Sequence, residues 1–401
     1  MRIAWYSTSP HAASGYGTQT RMMLPRLTAD GHQVAVLGLW GNQAGMASFE
    51  TPHGPVPIFP AGAMHYGLDV IDAQARVWLG NEPGWVITLY DVWVLNGRFK
   101  EFPVTSWTPI DHYPVPRKVA LWAQEHPTIA MSKFGHKALA DLGIGSTYIP
   151  HGIETFWKPS PSDIRSQMDV PQDAFLVMMN AANIGASDRK GWNQNLRAFA
   201  AFARNHPDAY IYLHTDPTRP DGFPIASYLD YLGLPESQTR ITDLFAYRSG
   251  LINSETLAQI YTAADVLLSC SLGEGFGLPV AESMACGTPA IATNFSAQPE
   301  IVGGTGWLVD FEPFWDKDQR ADFAIPSVVG ILEALEAAYA EKGTDAALKR
   351  SQTATEHIRA EYDADTVYTT KWRPLLAQMD AQIHPRKGMS KSAKRRQKKA
   401  A

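Results

Sequence analysis

The sequence predicts an α/β protein made of two doubly wound parallel sheets facing a central cleft. Three observations lead there. Short apolar, β-rich runs alternate with stretches of helical period along most of the 401 residues, the pattern of βαβ units with parallel strands. The length suits two or three domains at ~150 residues each. Near the middle, Pro150-His-Gly-Ile-Glu and the polar stretch Lys158-Pro-Ser-Pro-Ser-Asp read as a connection between two such series.

In chain order, Ile3–Ser7 is the first expected strand and Ser14-Gly-Tyr-Gly the loop after it. A helix follows from about Thr18 to Ala29, with Gly31 at its C-terminal side and Pro25 expected to kink it or shift its start. Strands are expected at Val34–Leu39, Val86–Tyr90, Val104–Pro109, Thr128–Met131 and Thr147–Pro150. The second series opens with the apolar run Phe175–Asn180. The stretch Trp192–Asn205 has helical period, with Leu196, Phe199, Ala200 and Ala203 on one face. Ala209–His214 is a strand. Ser254–Ala263 is a helix with Ser254 as its expected N-cap and Leu257, Ile260 and Tyr261 inward. Val266–Ser269 is a strand, a helix begins near Pro279, and Pro289–Thr293 and Gly306–Asp310 complete the sheet. Val328–Tyr339 and the stretch around Thr366–Gln378 read as helices. No repeat of ~20–50 residues stands out.

Composition excludes several classes. The chain is 45% hydrophobic and 19% charged, ordinary for a globular enzyme. Its two cysteines, Cys270 and Cys286, have neither disulfide-framework nor zinc-ligand spacing. The N-terminus lacks the pattern of a signal peptide, and no run reaches the ~18 apolar residues of a transmembrane helix. A cytoplasmic protein is the expectation. Net charge is -5, unevenly spread. From Arg386 on there are eight basic residues and no acid, which leaves -13 for residues 1–385. Such a tail, 386–401, is expected to be disordered. It is either a solubilising end or a contact for nucleic acid or an anionic surface.

The most informative segment is Glu274-Gly-Phe-Gly-Leu-Pro-Val-Ala-Glu282. Its glycines allow close backbone approach, and Pro279 suits a first helical turn. The amides of Phe276, Gly277 and Leu278 would then point out of a helix N-terminus, a ready site for phosphate. Glu282, one turn in, is placed to reach a diol beside the phosphates, the logic of dinucleotide folds.

With the stretch from Tyr261 through Glu274 and Glu282 to Ala285-Cys-Gly-Thr-Pro, the chain resembles family 4 of the retaining GT-B glycosyltransferases, the glycosyl transferases of group 1. Gly15 to Gly31-His-Gln-Val resembles that family's first glycine loop and helix, Tyr148-Ile-Pro-His-Gly-Ile-Glu its hinge, Asp188-Arg-Lys-Gly-Trp its phosphate-binding segment, and Gly306-Trp-Leu-Val-Asp a late strand. The resemblance implies a GT-B fold of two Rossmann-like domains. Residues 1–155 would bind the acceptor, joined by a returning helix at about 360–382, and residues 156–355 would bind the nucleotide sugar. It implies that Glu274 touches the donor sugar, that Glu282 binds the ribose, and that Lys190, with Arg189, binds the diphosphate without a metal. Gly15 would let the backbone approach the same phosphates. Asp111 or His112, in Trp107-Thr-Pro-Ile-Asp-His-Tyr-Pro, falls where the family often has a histidine near the reacting carbon.

The chain departs from the family pattern in two places. Asn183 stands near a position often held by arginine, and the hinge reads Pro-His-Gly-Ile-Glu. Asp316-Lys-Asp318 and Asp363-Ala-Asp365 match a two-carboxylate metal pattern, but neither follows a convincing buried strand, and no metal or other cofactor is expected. The expected activity is retaining transfer of a hexose or similar sugar from a nucleotide-diphosphate sugar to a saccharide or glycan. The alternatives are transfer to modified nucleic acid bases, a non-catalytic nucleotide-sugar binder, and a phosphorylase or epimerase on the same fold.

Overall fold

The computed structural model describes residues 1–95, 97–185 and 188–384. The basic segment from Arg386 lies outside the described residues. Two compact units are present. One comprises Met1–Tyr90, Val94–Ser106 and the chain from Tyr368; the other comprises Asp91–Trp93 and Trp107–Val367.

The first unit holds β1 (Arg2–Thr8), β2 (Gln33–Trp40), β3 (Ala47–Thr51), β4 (Gly54–Ile58), β5 (Gly84–Leu89) and the Val104–Ser106 part of β6 (Val104–Thr108). Their order is β3-β4-β2-β1-β5-β6. β2 and β5 flank β1 in parallel, β4 runs parallel to β2, and β3 is antiparallel to β4. Runs such as Ile3-Ala-Trp-Tyr are buried on both faces, as parallel strands under helices must be. The helix Gly15–Ala29 begins earlier than the sequence predicts, because Ser14 accepts the Gly17 amide and caps it. Gly17 is fixed by space: a Cβ there would lie 2.4 Å from the Ala12 carbonyl oxygen. Pro25 sits inside the helix and does not end it. The chain's last described helix, Arg373–Ile383, belongs to this unit. Trp372 packs near Trp5, the Trp85 indole donates to the Met379 carbonyl at 3.1 Å, and Arg373 pairs with Asp30.

The second unit contains the parallel pair β7 (Thr128–Ala130) and β8 (Thr147–Tyr148). It also contains β9 (Phe175–Asn180), β10 (Ala209–His214), β11 (Thr239–Ile241), β12 (Val266–Ser269), β13 (Ala290–Thr293) and β14 (Trp307–Val309), in the order β11-β10-β9-β12-β13-β14. All five pairings are parallel. The predicted face of the helix Trp192–Ala203 is buried at Leu196, Phe199, Ala200 and Ala203, against Phe175, Val177 and Leu213 of the sheet core. One predicted cap shifts: Asn253 rather than Ser254 accepts the Thr256 amide and caps Ser254–Ala263. An antiparallel hairpin, β15 (Phe311–Asp316) and β16 (Ala321–Pro326), follows the sheet, and a long helix spans Asp345–Tyr362. No described helix is long and apolar enough to cross a membrane.

Candidate functional site

The helix Leu278–Ala285 starts where the sequence predicts, with Gly277 as N-cap at φ 101° and Pro279 in the first turn. Only glycine adopts that backbone without strain. No described residue accepts from the amides of Phe276, Gly277 and Leu278, which is the ordinary state of a helix start before an anion arrives. The Phe276 ring is buried against His151 and Tyr362. The earlier glycines have a different use. A Cβ on Gly273 would lie 2.3 Å from the Asp111 carbonyl oxygen, and one on Gly275 would lie 2.2 Å from Pro109 Cβ. They let the signature loop press against the segment carrying Asp111 and His112.

Glu274 is the centre of a charge cluster. Lys190 Nζ donates to its Oε1 at 2.5 Å, and Arg189 approaches its Oε2 at 3.4 Å while donating to the Gly273 carbonyl at 2.7 Å. Burial raises the Glu274 carboxyl, but the two cations overcome it and hold it below its ordinary value. Burial and the neighbouring Arg189 together hold the Lys190 ammonium below its ordinary value, with Glu274 opposing them. The lysine comes from the turn before Trp192–Ala203, which Asp188 caps by accepting the Trp192 and Asn193 amides at 2.7 and 2.8 Å. Gly191 in that turn is left-handed, and a Cβ on it would meet the Cys270 carbonyl oxygen at 2.3 Å.

His112 is almost fully buried and bound at both ring nitrogens. Nδ1 lies 2.7 Å from Asp111 Oδ1 and Nε2 lies 3.2 Å from Asp316 Oδ2, with Phe323 against the ring at 3.6 Å between centroids. Burial lowers the imidazole, but Asp111 and then Asp316 outweigh it, so the ring favours its charged form. Burial opposes ionisation of Asp111, yet His112 and then Arg189, 3.9 Å away, bring it below its ordinary value. Burial and repulsion from Asp111 raise Asp91 to about 6, with Arg189 opposing.

Glu282 is buried one turn into its helix. Its Oε2 accepts from the Tyr261 hydroxyl at 3.1 Å, and that hydroxyl accepts from Asn180 at 2.7 Å. Burial pushes the carboxyl up to about 8, the tyrosine bond partly offsetting it. The second unit therefore brings together Asp111, His112, Arg189, Lys190 and Glu274, with the helix start Phe276–Leu278 and Glu282 on the same signature. Gly15 is exposed at the first residue of its helix in the first unit. Asn183 is not a stand-in cation. Its side chain donates to the Asp216 and Phe223 carbonyls and accepts the Phe223 amide, bracing a loop.

Sequence reasoning missed Asp91, Tyr261 as a partner of Glu282, and Asp316 as a partner of His112. The Asp316-Lys-Asp318 pattern is visible in the sequence, but as a two-carboxylate metal pattern it does not point to His112.

Residues 180–321 match the sequence model of the family described as Glycosyl transferases group 1. Among curated relatives, an MMP alpha-(1->4)-mannosyltransferase of Mycolicibacterium hassiacum is 46% identical over 159 residues, 39% of this chain and 33% of that protein. A D-inositol 3-phosphate glycosyltransferase of Streptomyces scabiei is 32% identical over 209 residues, 49% of this chain and 45% of that protein. The matched stretches thus span less than half the length of these relatives. Among solved structures, sucrose-phosphate synthase from Thermosynechococcus elongatus aligns with TM-score 0.73 at 19% identity, covering 95% of this chain and all of that one. Anabaena Alr3699/HepE in complex with UDP-glucose aligns with TM-score 0.65 at 16% identity, covering 94% of this chain and 100% of that one. At such identities the likeness is one of fold, and the fold is that of the GT-B glycosyltransferases.

Proposed function

We propose that this chain, which carries a group 1 glycosyltransferase domain on a GT-B fold, is a retaining glycosyltransferase. It moves a hexose or similar sugar from a nucleotide-diphosphate sugar to a saccharide or glycan. The observation that carries the reading is Glu274 bound by Lys190 and Arg189 beside a helix start whose first amides are open. Lys190, Arg189 and the Phe276–Leu278 amides would take the diphosphate as charge-assisted donors. Glu274, relieved of part of its cation pairing, would turn to sugar hydroxyls. Glu282 would accept from the ribose diol. In the first unit, Gly15 would offer its backbone to a phosphate.

As the anomeric C–O bond breaks, negative charge grows on the leaving diphosphate. Two fixed cations and helix-end dipoles stabilise it without reorganising. A donor phosphate oxygen would take the acceptor proton, with transfer on one face in place of a double displacement through a side-chain nucleophile. Asp111 and His112 would sit nearest the reacting carbon. The chemistry is proposed to run without a metal, the two cations filling that role.

The test is incubation of the full chain with a panel of nucleotide sugars and oligosaccharide acceptors, with the product anomer read by NMR. Transfer with retention supports the proposal. Inversion, or nucleotide-sugar binding with no transfer to any acceptor, sinks it.

A further inference from the structure

The two faces of the hairpin β15–β16 have different uses. In its register Phe314 stands opposite Phe323, and Trp315 opposite Asp322. Tyr113 adds a third member to the second row. Its amide donates to the Asp322 carbonyl and its carbonyl accepts the Asp322 amide, both at 3.0 Å. Residues directly opposite one another in an antiparallel ladder share a face, and successive residues alternate between faces. Phe314, Phe323 and Asp316 therefore share the face that meets His112, where Phe323 lies on the ring and Asp316 on Nε2. Trp315, Asp322 and Tyr113 form a row on the other face, and the charge cluster does not use it.

In this row a carboxylate stands between two open rings. Trp315 and Tyr113 are 57% and 47% exposed, and among the described residues no hydrogen bond or ion pair engages the Asp322 carboxylate. Neighbours in such a row have Cβ atoms ~5 Å apart, so one ligand can touch all three. The row is also fixed in place. The Tyr113 ring opens a series of ring contacts, with Phe134 at 6.4 Å, then Phe295 at 5.5 Å and Phe311 of β15 at 5.1 Å. Phe134 is held in turn by Glu300, which accepts its amide at 3.1 Å. The Ala324 amide donates to the Leu272 carbonyl and ties the hairpin to the chain just before the signature.

The chemistry of the row selects the occupant. Asp322 repels an anion. Lys137, paired with Asp141 on its own helix, stands close enough to Tyr113 for the two to interact electrostatically, which disfavours a second cation there. A neutral ligand with C–H faces and many hydroxyls uses every group in the row. Its hydroxyls donate to the carboxylate, its C–H faces lie on the rings, and the indole N–H and phenol hydroxyl supply donors. That ligand is a saccharide.

We propose that Trp315, Asp322 and Tyr113 form a subsite for an uncharged saccharide, separate from the charge cluster, and that its occupant is a sugar of the acceptor glycan other than the one that receives the transfer. The second part rests on the glycosyl-transfer reading; the first does not. Tyr113 and Asp322 adjoin His112 and Phe323 in the chain, so the subsite and the His112 face are opposite sides of one strip of sheet. Only an acceptor of more than one sugar can occupy both.

The test uses the full chain and saturation-transfer NMR with maltose, maltotriose and α-linked mannobiose as uncharged probes, tetramethylammonium as the cationic one and glucuronate as the anionic one. The expected result is transfer from aromatic protons to at least one uncharged probe, with affinity falling roughly two- to ten-fold in Trp315→Ala and in Asp322→Asn. Both side chains are open to solvent, so the variants should keep their Tm and their affinity for nucleotide sugar. In transfer assays the variants should raise KM for an oligosaccharide acceptor by the same factor and leave KM for a methyl monosaccharide unchanged. No signal from any uncharged probe, equal binding by both variants, or Trp315-dependent binding of tetramethylammonium or glucuronate tighter than the sugars overturns the subsite. If Trp315-dependent sugar binding holds but no nucleotide sugar supports transfer, the functional reading fails and the subsite stands. If transfer occurs and both variants leave the oligosaccharide KM unchanged, the acceptor role of the subsite fails and the functional reading stands.

Discussion

Strand ends in the two units are furnished in opposite ways. In the second unit they carry Lys190, Arg189, Glu274, Asp111 and His112, each paired with another before any ligand is present. In the first unit, the ends of β2, β4 and β5 carry rings and no lining charge. A buried charge must be compensated within the protein or it shifts its proton, so the first arrangement forces a network, while an aromatic wall forces none. The lesson is that a site for a charged group shows itself through its internal partners. An uncharged wall gives no such sign.

The largest effect should come from breaking the network. Lys190→Met leaves the Glu274 carboxylate short of a cation in a nearly buried setting, and such breaks cost about 3–5 kcal/mol. It also removes a stabilising charge from the leaving diphosphate. We expect kcat/KM to fall by a factor on the order of 10²–10³, with a clear drop in Tm. The double variant Lys190→Met, Glu274→Gln should recover much of the Tm and none of the activity. Recovered activity would show that the pair is only structural. Trp40→Ala, by contrast, should change neither Tm nor donor affinity.

Glu282 sharpens the comparison, because its partner is a neutral hydroxyl rather than a cation. The carboxyl stands at about 8 when folded against ~4.3 in an unfolded chain. A carboxyl raised on folding helps stability most below the unfolded value, and that help is lost as pH rises through about 8. Glu282→Gln should therefore gain Tm relative to the parent as pH climbs across this window. If ribose hydroxyls donate to the carboxylate, nucleotide binding near pH 7 should release up to about one proton. Calorimetry in buffers of different ionisation enthalpy would read it. The variant should release none and bind roughly 10- to 1000-fold more weakly. Unchanged affinity would remove Glu282 from the nucleotide site.

Much of this was legible in sequence because it is local. Glu274 to Glu282 announces a helix start through Gly277 and Pro279, and the alternation of strands and helices was clear wherever strands were apolar on both faces. Non-local pairings were not legible. Asp316 reaches His112 across 204 positions, and Tyr261 reaches Glu282 from another helix. The hairpin Phe311–Pro326 was missed because Pro313 and the exposed Phe314 and Trp315 break the pattern of a covered strand. The sequence places the start of the first helix and the cap of Ser254–Ala263 late, because Ser14 and Asn253, both good caps, stand just ahead of the residues chosen. The row of Tyr113, Asp322 and Trp315 left no motif at all, its members coming from distant stretches.

The smallest expected effect concerns Asp316, which touches His112 from the hairpin and acts as a positioning residue. The imidazole is raised by Asp111 first and Asp316 second. A histidine raised on folding contributes stability below its unfolded value, and that contribution is lost as pH rises through the folded one. Asp316→Asn removes one of the two charges and keeps an oxygen that can still accept. The alkaline limb of the kcat/KM profile should move to lower pH, and the alkaline edge of the stability curve should move with it. Because Asp111 still holds the ring and the new amide oxygen can still accept, the loss at neutral pH should be only about two- to five-fold. Asp111→Asn should move the same limb further, because Asp111 holds the ring at 2.7 Å against 3.2 Å for Asp316. An alkaline limb that ignores both variants would mean that the charge on His112 plays no part in the rate.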